Sequence, residues 1–111
     1  MKNMLLYDFV FKKFSSGIQY QEAVDLCLAL YCSADWVPEV DPKDVNRKNI
    51  AKVFSLLAKG GYIKPDPFRG ELQGDHLITE QEYWDNVIST LFSSDAGYNS
   101  DNVKKLLGEN S

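Results

Sequence analysis

Hydrophobic residues recur at spacings of three and four along most of the chain, which is the pattern of helices that bury one broad face. Polar and charged residues fill the positions between them. This periodicity predicts four or five helices, the last of them short. The first, third, fourth and last predicted helices cover residues 4–14, 42–59, 80–92 and about 100–107, and the second opens after Ser16 and carries apolar residues from Tyr20 to Tyr31.

Short polar motifs predict where these helices begin and end. A Ser or Thr followed three residues later by Gln or Glu is typical of a capping box, in which two side chains bond to backbone N–H groups at the helix start. Asp41, before Pro42, and Ser100 are expected to act as single caps. The predicted capping boxes are Ser16 with Gln19 and Thr79 with Glu82, and glycines at 60–61 and 108 are expected to end the third and the last helix.

The inward positions of these helices define one expected hydrophobic core. The second helix has the widest apolar stripe, so it is predicted to be central, with Gln21, Glu22 and Asp25 facing water. Phe92 is expected to point inward at the end of the fourth helix. The predicted core contains Leu6, Phe9, Val24, Cys27, Leu30, Phe54, Leu57, Trp84, Ile88 and Leu91.

Residues 62–78 contain the clearest break in helical periodicity. Tyr62-Ile63 and His76-Leu77-Ile78 look extended, and prolines and glycines separate them. Such a pattern favours a small antiparallel β ribbon. The expected fold class is therefore mainly α, a compact domain of four or five helices with a β ribbon around 62–78, and a winged-helix-like arrangement is compatible with that order.

Composition favours a single globular domain spanning residues 1–111. The chain is 44% hydrophobic and 25% charged, far from the composition of disordered chains. No apolar run has the length of a membrane span. Cys27 and Cys32 are too few for a disulfide framework. We therefore expect a cytoplasmic protein with reduced thiols.

No motif predicts catalysis, a metal site or a cofactor. His76 is the sole histidine, and no serine or cysteine near it belongs to a recognised nucleophile motif. Cys27 and Cys32 lack the spacing and the further ligands of a zinc site. The glycines match no phosphate-binding loop. We expect no catalytic residues, no bound metal and no cofactor.

Charge divides the chain into two adjacent blocks of opposite sign. Seven basic residues and two acidic ones lie between Lys43 and Arg69, whereas seven acidic residues and no Lys or Arg lie between Glu71 and Asp101. The basic block places charges along the third predicted helix, where Ser55 is expected to share their outer face. This alternative binding face contains Arg47, Lys48, Lys52 and Lys59.

The basic helix, the glycines after it and the expected ribbon also suggest an alternative function. Residues 53–63 are similar to the end of a winged-helix recognition helix that runs into the first strand of the wing. A winged-helix transcriptional regulator that binds nucleic acid is therefore the second reading. The pI near 4.9 and the net charge of −4 disfavour nucleic acid as a partner.

One stretch, from Phe54 through Gln81, combines helical Phe54, Leu56 and Leu57 with the glycine before Tyr62-Ile63, Gly70-Glu71-Leu72 and Glu80-Gln81. In these residues the chain resembles a family of small immunity proteins from Gram-negative bacteria, which neutralise a toxin. The resemblance implies a non-enzymatic module that binds a protein partner. Apart from the resemblance, an acidic surface would suit a basic, nuclease-type toxin by steering its association. The expected partner-binding residues are Glu71, Asp75, Glu82, Tyr83 and Asp85, with Tyr83 as an aromatic anchor.

Overall fold

The computed structural model describes residues 4–65, 68, 72–73, 75–93 and 97–108. Within these ranges the chain forms five α-helices and four two-residue strands, so the expected mainly α class is confirmed. The helices are α1 (Leu6–Lys13), α2 (Tyr20–Cys32), α3 (Arg47–Lys59), α4 (Glu80–Ser93) and α5 (Ser100–Leu107). The strands are β1 (Ile18–Gln19), β2 (Ile63–Lys64), β3 (Leu72–Gln73) and β4 (His76–Leu77).

The helices enclose one hydrophobic core, with α2 at its centre. Every residue from Ala23 to Leu30 is buried, which agrees with the broad apolar stripe of this helix. Nine of the ten predicted core residues are buried, and Leu91 packs against them while partly exposed. Phe54 of α3 and Trp84 of α4 meet inside the core, with ring centroids 5.9 Å apart.

The water-facing side of α2 differs from the prediction at Asp25. Its side chain is buried, with 4% of the residue exposed, because α5 packs over it. The carboxylate accepts hydrogen bonds from the Asn99 backbone N–H at 3.3 Å and from Asn102 Nδ2 at 3.0 Å. Both donors lie more than 70 residues away in sequence, so the local pattern of α2 could not reveal them.

Three helix starts also differ from the prediction. Ser16 does not open α2, because Ile18–Gln19 are extended in β1; the Glu22 carboxylate instead accepts from the Gln19 N–H at 3.2 Å. Asn46 caps α3, while Asp41 caps a 3-10 turn at Pro42–Asp44. At α5 the cap is Asn99 and not Ser100.

The capping box of Thr79 with Glu82 at the start of α4 is confirmed, with bonds of 2.9 and 3.1 Å.

The strands pair differently from the expected ribbon. β2 lies parallel to β1, with Ile18 opposite Ile63, and joins the start of α2 to the end of α3. β3 and β4 form a separate antiparallel pair inside the 62–78 segment. The predicted pairing of Tyr62-Ile63 with His76-Leu77-Ile78 is therefore wrong. Burial explains the choice, because Ile18 and Ile63 both enter the core when they pair.

Phe92, at the end of α4, was expected to point inward. The residue is 51% exposed, and its ring contacts Tyr31 edge-on. Among the described residues, no helix has the combination of length and apolar character needed to cross a membrane.

Candidate functional site

A groove of about 450 Å³ lies between α3 and α4 near the start of both helices. It brings together residues from the two surfaces that the charge pattern predicted separately. The α3–α4 groove, as we call it, is lined by Arg47, Lys48, Ala51, Thr79, Gln81, Glu82 and Asp85. Its lining contains two cations and two carboxylates, so the formal charges balance.

A two-point polar contact in the groove joins Arg47 to Asp85. Arg47 Nε donates to Asp85 Oδ1 at 2.7 Å, and Nη2 donates to Oδ2 at 2.9 Å. This contact raises the pKa of Arg47, chiefly through the side-chain hydrogen bond, so the guanidinium stays charged. Asp85 was predicted to present a free acidic charge, but Arg47 neutralises that charge.

Glu82 serves local structure as well as lining the groove. Its side chain is exposed, and one carboxylate oxygen accepts from the Thr79 N–H at 2.9 Å. Acidic groups at this position also interact favourably with the helix dipole. Glu82 is thus both a structural cap for α4 and a candidate contact for a ligand in the groove.

Tyr83 lies outside the groove and is half-buried. Its ring contacts Trp84 and Phe68, and its hydroxyl is 3.2 Å from the hydroxyl of Tyr20. This packing leaves only part of the Tyr83 side chain open to a partner, for which we expected it to be an aromatic anchor. Tyr83 instead helps to pack α4 against α2.

Four of the five expected partner-binding residues are described, and these four do not line one common groove. Glu82 and Asp85 line the α3–α4 groove, whereas Tyr83 faces α2. Asp75 is exposed in the turn between β3 and β4. Glu71 lies outside the described residues. The proposed acidic surface is thus divided, and its charge in the groove is partly compensated.

The alternative basic face is also divided. Lys48, Lys52 and Lys59 are exposed along one side of α3, as predicted. Ser55 was expected among them, but it is buried, and its hydroxyl donates to the Lys52 carbonyl at 2.7 Å. Of the three lysines, Lys48 alone lines the groove.

Sequence reasoning missed the small and neutral residues of the groove, Ala51 and Gln81. Gln81 stands one and four positions before Glu82 and Asp85, and a spacing of four residues places two side chains on the same side of a helix. That spacing could be seen in the sequence of α4. Nothing in the sequence indicated that α3 approaches α4, because the ion pair that joins them links residues 38 positions apart.

The described residues include no group of three or more His, Cys, Asp or Glu side chains arranged to hold a metal ion.

The two thiols lie in different environments. Burial raises the pKa of the Cys27 thiol well above its usual value, whereas Cys32 is exposed at the end of α2. His76 lies in β4. The groove offers hydrogen bonds and charges of both signs, which suits binding of a polar ligand.

Comparisons with protein-family models, with curated proteins and with solved structures found no match for this chain.

Proposed function

We propose that the chain is a non-enzymatic protein-binding module of the immunity or inhibitor kind, which holds a segment of its partner in the α3–α4 groove. The observation that carries the proposal is the mixed charge of that groove. Lys48 on α3 and Glu82 on α4 provide opposite charges on its two sides. A polypeptide segment, with its own charges and backbone dipoles of both signs, complements such a lining.

Nucleic acid fits the same groove poorly. A phosphate backbone carries one sign of charge, and its affinity for a protein comes from Lys and Arg residues that release counterions. In the groove, Glu82 and Asp85 would repel phosphates that Lys48 attracts, and Arg47 already binds Asp85. The balance of charge therefore favours a protein ligand.

The overall acidity of the chain supports an inhibitory role against a basic partner. Its net charge is −4. Complementary net charges accelerate association and are typical of proteins that block a basic enzyme. In this proposal the acidic chain attracts the toxin, and short-range contacts in the groove determine how long the complex lasts.

A photo-crosslinking experiment tests this function. A photoreactive amino acid replaces Gln81, which lines the groove, and the matched control replaces Lys59, which is exposed on α3 outside it. After irradiation in the source cells, the variant at 81 should capture one protein that the control does not. That protein should be toxic when produced alone and harmless when produced together with this chain.

Two results would contradict the proposal. One is equal capture from positions 81 and 59, which would place the partner outside the groove. The other is a captured protein that is equally harmful with and without this chain, which would exclude an inhibitory role.

The second candidate is the nucleic-acid-binding regulator, which rests on one observation. Lys48, Lys52 and Lys59 are exposed along α3 and form no ion pair among the described residues. The strand that directly follows α3, β2, pairs in parallel with β1, so the expected wing of residues 62–63 with 76–78 does not form, although β3 and β4 pair in antiparallel further along the chain.

A further inference from the structure

We propose that a second pocket, formed by α2, α4 and the segment that precedes α5, binds the ammonium or guanidinium group of a basic ligand. Its volume is about 430 Å³, and Asp25 lies in its lining together with Tyr20, Gln21, Leu28, Tyr98 and Asn99. We call it the Asp25 pocket. It shares no lining residue with the α3–α4 groove, so the inference stands apart from the proposed function.

The hydrogen bonds of Asp25 all come from neutral groups. Oδ1 accepts from the Asn99 N–H at 3.3 Å and from Gln21 Nε2 at 3.5 Å, and Oδ2 accepts from Asn102 Nδ2 at 3.0 Å. Within the described part of the chain, no Lys or Arg forms an ion pair with this carboxylate.

A buried carboxylate without a counter-charge is unusual. Ionised groups lose much of their hydration when they are buried, and neutral hydrogen bonds replace it only in part. The hydrogen bonds from Asn99 and Asn102 use both carboxylate oxygens of Asp25. Because their donors are neutral, these bonds leave the negative charge of an ionised carboxylate without a counter-charge. A bound cation would supply the missing compensation.

The rest of the lining suits a cation on an alkyl stem. Tyr20 and Tyr98 provide aromatic rings, which attract ammonium and guanidinium groups. Leu28 provides apolar surface for methylene groups. The volume is within the range of about 300–1,000 Å³ that is common for small-ligand pockets. A free amine or guanidine and a Lys or Arg side chain of a protein share this chemistry.

The test is an NMR titration of the full ¹⁵N-labelled chain with n-butylguanidinium, with n-butylurea as its neutral analogue of the same shape. The guanidinium should give saturable shifts at the amides of Gln21, Tyr98 and Asn99. The urea should bind at least tenfold more weakly, because it lacks the charge. Equal binding of the two compounds, or no saturable shift with the guanidinium, would overturn the proposal.

Variants at the pocket assign the effect to Asp25. Asp25→Asn should weaken n-butylguanidinium binding at least tenfold. Because that change could also unfold the chain, Gln21→Lys provides an independent test: it places an ammonium group beside Asp25 that competes with the ligand. Gln21→Lys should weaken binding at least tenfold, whereas Ser15→Lys, which adds the same charge at an exposed position outside the pocket, should change it less than twofold. Unchanged affinity in Gln21→Lys would refute the role of Asp25.

A final comparison distinguishes the two sources of the cation. The probe is N-acetyl-arginine-N-methylamide, which presents the same guanidinium on a protein backbone. Binding at least one third as tight as that of n-butylguanidinium identifies a protein side chain as the ligand. Weaker binding identifies a free small cation, because the peptide groups then do not fit beside the pocket.

Discussion

Arg47 and Asp85 form a two-point ion pair that joins the first turn of α3 to the middle of α4. The sequence had assigned these residues to opposite surfaces, one basic and one acidic. Their pairing means that the two charge blocks meet at one groove instead of facing different partners. It also means that the charge at Asp85 has a structural role.

A double-mutant cycle should measure this pairing. Because both side chains are more than one third exposed, at 41% and 38%, the coupling between Arg47→Ala and Asp85→Ala should be modest, about 0.5–1 kcal/mol. It should shrink in about 1 M salt, where exposed charges are screened. Chemical denaturation of the four proteins gives the value. A coupling near zero at low salt would show that the pair does not hold α3 and α4 together.

The second prediction concerns the stability of the hydrophobic core. Leu57 is fully buried, so Leu57→Ala should lower the free energy of unfolding by about 2–5 kcal/mol. Leu5 provides a matched control, since the same substitution there removes an exposed side chain and should cost less than about 1 kcal/mol. Similar losses in the two variants would be incompatible with the described core.

The two thiols should react at different rates. Cys32 is exposed and should be labelled at once by a thiol reagent near neutral pH, while Cys27 should react only after unfolding. The raised pKa of Cys27 also affects stability, because the folded chain retains a proton that the unfolded chain releases as pH rises. The free energy of unfolding therefore keeps this contribution in full below the ordinary pKa of a thiol and decreases as pH rises above it. Rapid labelling of two thiols per native chain would contradict this account.

Local sequence patterns predicted much of the fold. The predictions that failed did so because of contacts between residues that are far apart in the chain. The capping box of Thr79 with Glu82 spans four residues and was predicted correctly. Ser16 failed as a helix start because Ile18 pairs with Ile63, far along the chain. Asp25 failed as an exposed residue because α5 returns to cover it.

The residues of the candidate site could likewise be predicted one by one, but their contacts across the groove could not. Glu82 and Asp85 were among the residues predicted to bind a partner, and Lys48 belonged to the alternative basic face predicted on the third helix. No periodicity could show that Arg47 would neutralise Asp85, since that contact depends on how α3 packs against α4. A reversal of Glu82 and Asp85 to lysine should destabilise the fold, because it removes a helix cap and an ion pair.

Nucleic acid should not bind tightly. We expect no retardation of duplex DNA by the purified chain at physiological salt, because Lys48 shares its groove with Glu82 and Asp85 and the net charge is negative. If the regulator reading holds instead, wild-type binding will be tight and will fall steeply with salt. The combined change Lys48→Glu and Lys52→Glu would then abolish it, and we would abandon the inhibitor proposal.

The central claim, that the partner occupies the α3–α4 groove, is tested most directly by comparing Lys48→Glu with Lys59→Glu. Both lysines are exposed on α3, both changes alter the net charge equally, and Lys48 alone of the two lines the groove. Dissociation kinetics of the captured partner should show at least a tenfold faster off-rate for Lys48→Glu, since loss of a short-range contact acts mainly on dissociation. Lys59→Glu should leave the off-rate within about twofold of wild type. Equal off-rates for the two variants would contradict the account.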